Sequence, residues 1–299
     1  MANTMTTMGN TIIASKALET FVAAMTPVNA FARNFSEAEA NRGDKIKVLS
    51  LAAAAVAQSW VAANGYTIQD DTYTGKDISL DKRQYVSWHL TTEEAQNNPL
   101  ANLERLGRQK GFALAKAVLQ DIWSVITLAN FGAPSFTGDG AVFDADEVAT
   151  LEKICDEANW PGSERALIVA PAYHTGIVKD NAVQGDMGVQ GSVVLSDSRV
   201  TRLHNFNVYK SNLIPANAEN LKGMVVNPDA IMTAMRVLRP DDKQNTIDFQ
   251  VMADPGGSGI ALGFREWFDP DKDRTIRVLE ASYGYLLGNA TALKRIVSA

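Results

Sequence analysis

From residue 78 the chain reads ISLDKRQYVSWHL, in which apolar and polar residues alternate for thirteen positions. Ile78, Leu80, Val86, Trp88 and Leu90 share one face, and Lys82 and Gln84 interrupt it. A period of two is the signature of a strand. Thirteen residues at the extended rise reach roughly 40 Å, so the run predicts an arm that projects from the body. The stretch before it, Trp60 to Leu90, holds aromatic and β-branched residues around the polar centre QDDTYTGKD. This predicts a long hairpin with Gly75 at its turn.

Elsewhere the period shifts to that of helices. Leu18, Phe21, Val22 and Met25 fall on one stripe and end before Pro27, which predicts a short amphipathic helix over 15–25 on a weakly structured arm. Its partner surface is either this chain's own core or a neighbouring subunit. The turn before Lys45 leads into a strand with Ile46 and Val48 on one face.

Thr91 and Glu94 stand at capping-box spacing, and Asn98 with Pro99 opens a long helix whose stripe runs Leu100, Leu103, Gly107, Gly111, Leu114, Val118, Ile122, Val125, Ala129. Extended to Phe131 and ended by Gly132 and Pro134, it would span roughly 45 Å. Two glycines inside it cost about 1 kcal/mol each against alanine, which implies that another element packs closely there.

Further along, 144–158 predicts a helix, ALIV a buried strand leading into a helix, and VTRLHNFNVYKSNLIP and KGMVVN two strands. PDAIMTAMRVL reads as a helix, and the C-terminal part as antiparallel strands joined by the turn DPDKD. The mixture is α+β or α/β.

With 299 residues, 46% of them hydrophobic, the chain has enough apolar surface for a sizeable core. Its formal charge of -6, without any dense block of lysine and arginine, argues against a nucleic-acid or membrane footprint. The lone Cys155 rules out an intramolecular disulfide. No signal-peptide pattern opens the sequence, and LAAAAVAQSWVAA is too short to span a bilayer.

Candidate chemistry is sparse. His89, His174 and His204 form no HExxH pair. GSERAL is not a nucleophile elbow, and neither GDMGVQG nor GGSGIALG has the spacing of a dinucleotide or phosphate loop. RGD at 42–44 is explained by a turn ahead of a strand. Asp269, Asp271, Asp273, Ile276 and Glu280 match a calcium loop, but Arg274 stands where the sharp turn calls for glycine. The sequence therefore predicts no enzyme, cofactor or metal site.

The order of elements carries a resemblance. FARNFSEAEANRGDKIKV, the ribbon 64–90, the helix 99–131, ALIVAPAYHTGIVKD, FNVYKSNLIP and the C-terminal segment GIALGFREWFDPDKDRTIRVLEASYGYLLGNATALKRIV follow one another as in the major capsid (coat) protein of tailed double-stranded DNA bacteriophages, the Hong Kong 97-like fold. The chain resembles that family over nearly its whole length.

The resemblance implies an N-terminal arm at 1–42 and a peripheral domain at 43–57, 93–145 and 263–299 with its spine helix at about 99–131. It also implies an extended loop at 58–92 and an axial α/β domain at 146–262. The implied function is self-assembly of hexamers and pentamers into an icosahedral shell around the phage genome. A separate scaffolding protein and a portal would be partners, and the DNA would be enclosed without sequence-specific binding.

The implied location is the virion, after assembly in the host cytoplasm, with no membrane contact. Lys82, Arg83 and Tyr85 are the expected inter-subunit contacts, with Lys82 and Arg83 reaching acidic groups of a neighbour. Lys76 and Lys82 are the lysines to consider for a covalent crosslink. Two alternatives are an encapsulin-like nanocompartment shell, which shares the fold, and an α/β enzyme with a dispersed active site.

Overall fold

The computed structural model describes residues 5–35, 45–51, 59–60, 66, 73–97, 100–180, 183, 200–238, 248–254 and 259–299. Helix α1 (Met5–Met25) and the single turn α2 (Val28–Phe31) precede strands β1 (Ala32–Phe35), β2 (Lys45–Leu51), β3 (Tyr73–Ser79) and β4 (Lys82–Thr91). Helices α3 (Thr92–Asn97), α4 (Leu100–Trp123) and α5 (Leu128–Phe131) follow.

The remainder is β5 (Phe136–Thr137), α6 (Ala145–Glu157), β6 (Ala166–Val169), α7 (Pro171–Lys179), β7 (Arg202–Leu203), β8 (Phe206–Lys210) and β9 (Leu221–Val226). Then come β10 (Ile231–Arg236), β11 (Asp248–Ala253), β12 (Ala261–Asp269), β13 (Arg274–Leu287) and β14 (Leu293–Val297).

One sheet has the order β1-β10-β13-β12-β11, and β4 pairs with β13 as well. Strand β13, fourteen residues long, is its axis. A second sheet runs β5-β14-β9-β6-β8-β7, and β2 with β3 makes a separate hairpin. Strands β10 and β11 belong to the β13 sheet, whereas the C-terminal β14 joins β9. Helices α1 and α4 cover the β13 sheet through Ile13, Ala17, Phe21, Met25, Leu114, Val118 and Ile122, all buried.

The second sheet is closed on both faces. Ala166 and Ile168 of β6 face the α1–α4 core, while Leu167 and Val169 face a second core with Val148, Leu151, Phe143 and Ile177. Burial on both sides explains why β6 is a continuous apolar run.

Helix α1 reaches back to Met5, beyond the expected Ser15, and its partner is this chain's own α4. The stripe is not a loose arm. A Cβ on Gly107 would stand 2.6 Å from the carbonyl oxygen of Ile13, and one on Gly111 would strike that of Ala17. The two glycines are the grooves that let α1 approach.

Four local expectations are corrected. The thirteen-residue run is not one projecting strand: it breaks at Leu80 and Asp81. Its first part lies in β3, whose partner is β2, while 82–91 form β4 and dock along β13. Gly75 sits inside β3, opposite Leu49, rather than at a turn. The long helix stops at Trp123, where Asn217 Nδ2 donates to the carbonyls of Trp123 and Ile126 at 2.8 and 2.9 Å. The Glu219 carboxylate then accepts from the Leu128 N–H at the start of α5.

PDAIMTAMRVL is a strand, not a helix, over Ile231–Arg236. It lies between β1, parallel, and β13, antiparallel. Ile231 and Met235 bury into one core, and Met232 and Ala234 pack in another beside Ile46 and Ile78. Two-sided burial overrides the helical preference of Ala and Met.

Other expectations hold. The capping box forms in both directions, Glu94 N–H to Thr91 Oγ1 at 3.2 Å and Thr91 N–H to Glu94 Oε2 at 3.1 Å. DPDKD turns the β12–β13 hairpin, with Asp273 in the left-handed region at φ 43°. The RGD turn, the Asn98–Pro99 helix start and the 185–198 connection lie outside the described residues.

Candidate interaction surface

Because β4 and β13 pair without a register shift from Arg274↔Thr91 to Tyr283↔Lys82, side chains on the two strands share faces in a fixed order. Lys82, Val86 and Trp88 lie on the side of α4, opposite Tyr283, Leu279 and Arg277. Arg83, Tyr85, Ser87 and His89 lie on the other side.

Lys82 does not reach outward. Its Nζ donates to both oxygens of Asp121, at 3.0 and 2.9 Å, and to the Tyr285 hydroxyl at 2.7 Å. Asp121 also accepts from Tyr283 at 2.8 Å. Burial disfavours the ammonium, but the bonds to Tyr285 and Asp121 outweigh it and lift the pKa above the ordinary lysine value. Asp121 is near the end of α4, so the cluster ties helix, β4 and β13 together.

Arg83 pairs with Glu280 within its own chain. On the other side of that carboxylate, Arg265 pairs with it at 2.7 Å. Glu280 is 3% exposed. Two guanidiniums therefore share one buried carboxylate, which leaves one positive charge in surplus on the outward face. Beside them Tyr85 is 65% exposed. Of the three expected contact residues, then, two have acidic partners inside the chain and the third faces out.

Lys76 donates to the carbonyls of Leu287 and Gly288, at 3.3 and 3.0 Å. Trp60 and Tyr66, between β2 and β3, are 61% and 89% exposed.

The groups with familiar chemistry are scattered. His89 is exposed on β4, and His174 is buried on α7, where burial and the charge of Lys210 lower its pKa. His204 sits in a left-handed turn 3.6 Å from Glu152. Burial pushes the Cys155 thiol up to about 11, which makes it a packing residue rather than a nucleophile.

In the calcium-like segment Asp269 pairs with Arg274, and Glu280 is held by its two arginines. Among the described residues no group of three or more acidic, histidine or cysteine side chains is placed to hold a metal. An open cleft of about 610 Å³ lies between the 140–144 loop and α7, lined by Gly140, Asp144, Thr175 and Lys179 among others.

Sequence reading missed Asp121 and Glu280 as the partners of β4, and Arg265 as the second guanidinium on Glu280. They lie far along the chain, 39 residues from Lys82 in one case and 197 from Arg83 in another. No local pattern announces such pairs.

Neither protein-family models nor curated proteins match the chain. Solved structures do. The capsid structure of the cyanophage P-SCSP1u is similar at a TM-score of 0.61 and 14% identity, over 91% of this chain and 87% of that one. The asymmetric unit of the bacteriophage PhiM1 mature capsid is similar at 0.59 and 11%, over 91% and 86%. A virus-like particle from Pyrococcus furiosus is similar at 0.52 and 12%, over 95% and 97%. The chain thus has the α+β fold found in phage capsid structures.

Proposed function

We propose that the protein is a shell subunit, the major capsid protein of a tailed phage, which self-assembles as hexamers and pentamers into an icosahedral shell around a double-stranded DNA genome. The observation that carries this reading is the likeness in fold to the P-SCSP1u and PhiM1 capsid structures over 91% of the chain. The scatter of its titratable groups agrees with work done by interfaces rather than by catalysis. Each contact in such a shell can be weak, because closed symmetry multiplies it and a subunit held at several contacts leaves slowly.

In this reading α4 is the spine of a peripheral domain and the second sheet, with α6 and α7, is the axial part. The β2–β3 hairpin belongs to the extended loop, whereas 82–91, the end of the expected 58–92, are part of the β13 sheet. Tyr85 is the inter-subunit contact, with Lys82 and Arg83 setting the position and charge of its strand. A scaffolding protein and a portal are the proposed partners in the host cytoplasm before the virion is complete. The acidic chain, at -6, suits a lining that encloses DNA without gripping it.

Expression of the chain, alone and with its neighbouring genes, followed by sedimentation and negative-stain microscopy, tests the proposal. Closed shells are expected; discrete monomers or dimers under every condition reject it. The virus-like particle from Pyrococcus furiosus supports a second reading, a nanocompartment shell, at a lower TM-score. The contents of purified shells separate the two: genome-length DNA for one, protein cargo for the other.

A further inference from the structure

The geometry points to the outer edge of β4 as an acceptor for a strand of a second copy of this chain, an inference that rests on the shell reading above. Strand β4 is ten residues long, roughly 33 Å of backbone. Among the described residues it pairs only with β13. The other strands that end a sheet are shorter: two residues for β5 and β7, four for β1, six for β11 and seven for β2 and β3. Short edges are protected from unwanted pairing; a ten-residue edge is a ready template.

Which backbone groups face out can be read from the two ends of the strand. In an antiparallel pair each residue directs its N–H and C=O to the same side, and successive residues alternate. The Lys82 carbonyl accepts from Ser282 Oγ of β13 at 3.3 Å, so residue 82 points inward. The Thr91 N–H instead donates to Glu94 at 3.1 Å, so residue 91 points outward. With no bulge between them, Arg83, Tyr85, Ser87 and His89 present their N–H and C=O groups along the open edge.

Charges on a strand are the usual guard of such an edge, and here they are engaged elsewhere. Lys82 is neutralised by Asp121 on the α4 side, and Arg83 is drawn onto Glu280. What remains beside the edge is the surplus positive charge of the Arg83–Glu280–Arg265 group and the exposed ring of Tyr85. A second copy, with a net charge of -6, supplies the opposite sign. Main-chain bonds would give such a contact its strength, and Tyr85 its side-chain anchor.

Residue-resolved hydrogen exchange on the full chain, as dispersed subunits and as assembled shells, tests the assignment. In subunits the amides of Gln84, Val86 and Trp88 should be protected and those of Arg83, Tyr85, Ser87 and His89 open. Assembly should slow the open four at least tenfold. Ser87→Pro, which removes one outward N–H and leaves the β13 ladder intact, should keep the subunit's melting transition and lower assembly yield at least tenfold. Shells that form while those four amides stay open overturn the edge assignment alone. A wild-type chain that never assembles overturns this assignment and the shell reading together.

Discussion

The start of β6 and strand β4 both lie in buried sheets, but their charged side chains recruit partners over different distances along the chain. In the first, Arg165 is 2% exposed and satisfied by neighbours: Nε bonds the Pro161 carbonyl at 2.8 Å, and NH1 pairs with Asp156 at 2.7 Å. The cap of α6 is likewise local, from Asp144 to the N–H groups of Asp146 and Glu147.

In the second, Lys82 finds Asp121 39 residues away and Tyr285 203 residues away, and Arg83 finds Glu280 across 197. Such contacts exist only once the whole sheet is assembled. Conservative apolar exchange in β6 is therefore expected to cost little, whereas the β4 contacts depend on particular atoms meeting.

The sharpest way to break the β13 region is to separate α1 from α4. Gly111→Leu puts a side chain where even a Cβ meets the Ala17 backbone, and backbone cannot step aside as a side chain does. The expected loss is about 3 kcal/mol, at the upper end for overpacking. Denaturant titration with tryptophan fluorescence as the readout measures it, since Trp123 lies in that core. A loss below about 1 kcal/mol would mean that α1 is loosely held after all.

Removing one charge from the same region should cost somewhat less. Glu280→Gln leaves Arg83 and Arg265 facing each other without their carboxylate. Breaking a fully buried pair costs more, but the Arg83 side chain is 46% exposed and water screens it, so about 2 kcal/mol is expected. The double variant Glu280→Gln with Arg83→Gln should recover part of that loss. Strict additivity in the cycle would deny the coupling.

For the β6 region the matching change is Ile168→Val, in a fully buried strand. One methylene is lost in an apolar setting, and about 1 kcal/mol is expected, with shell yield unchanged. A loss equal to that of Gly111→Leu would erase the contrast between the regions.

The same contrast decides what could be read from the sequence. The β6 strand, the α7 helix and the α6 cap announced themselves because their signals lie within a dozen residues of one another. Gly107 and Gly111 signalled a close approach, although not that α1 was the element approaching.

PDAIMTAMRVL was misread because strand pairing on both sides, with β1 and β13, outweighs local helical preference. The stretch 78–90 was misread because a period-two pattern fixes faces but not partners: it does not say that Ile78 belongs with β2 and Trp88 with β13. For the interaction surface, Tyr85 was legible as an outward residue of an alternating run. The internal pairing of Lys82 and Arg83 was not, since their carboxylates come from α4 and β13.

The smallest expected effect lies back in the β6 region and appears only as a slope with pH. His174 is 6% exposed on α7, and its pKa is held below the ordinary histidine value, first by burial and then by Lys210. The folded state therefore resists a proton that the unfolded chain accepts once pH falls below about 6.5. By linkage, stability is intact above that value and is lost as pH drops toward 5, where the unfolded state binds more protons.

His174→Gln removes the titrating group and should flatten this part of the profile, while Cys155, Glu152 and the other groups of the region remain. Equilibrium denaturation at pH 7 and at pH 5 gives the comparison as a difference of differences. If wild type and variant lose the same stability between the two, the imidazole is not the group that makes this region acid-sensitive.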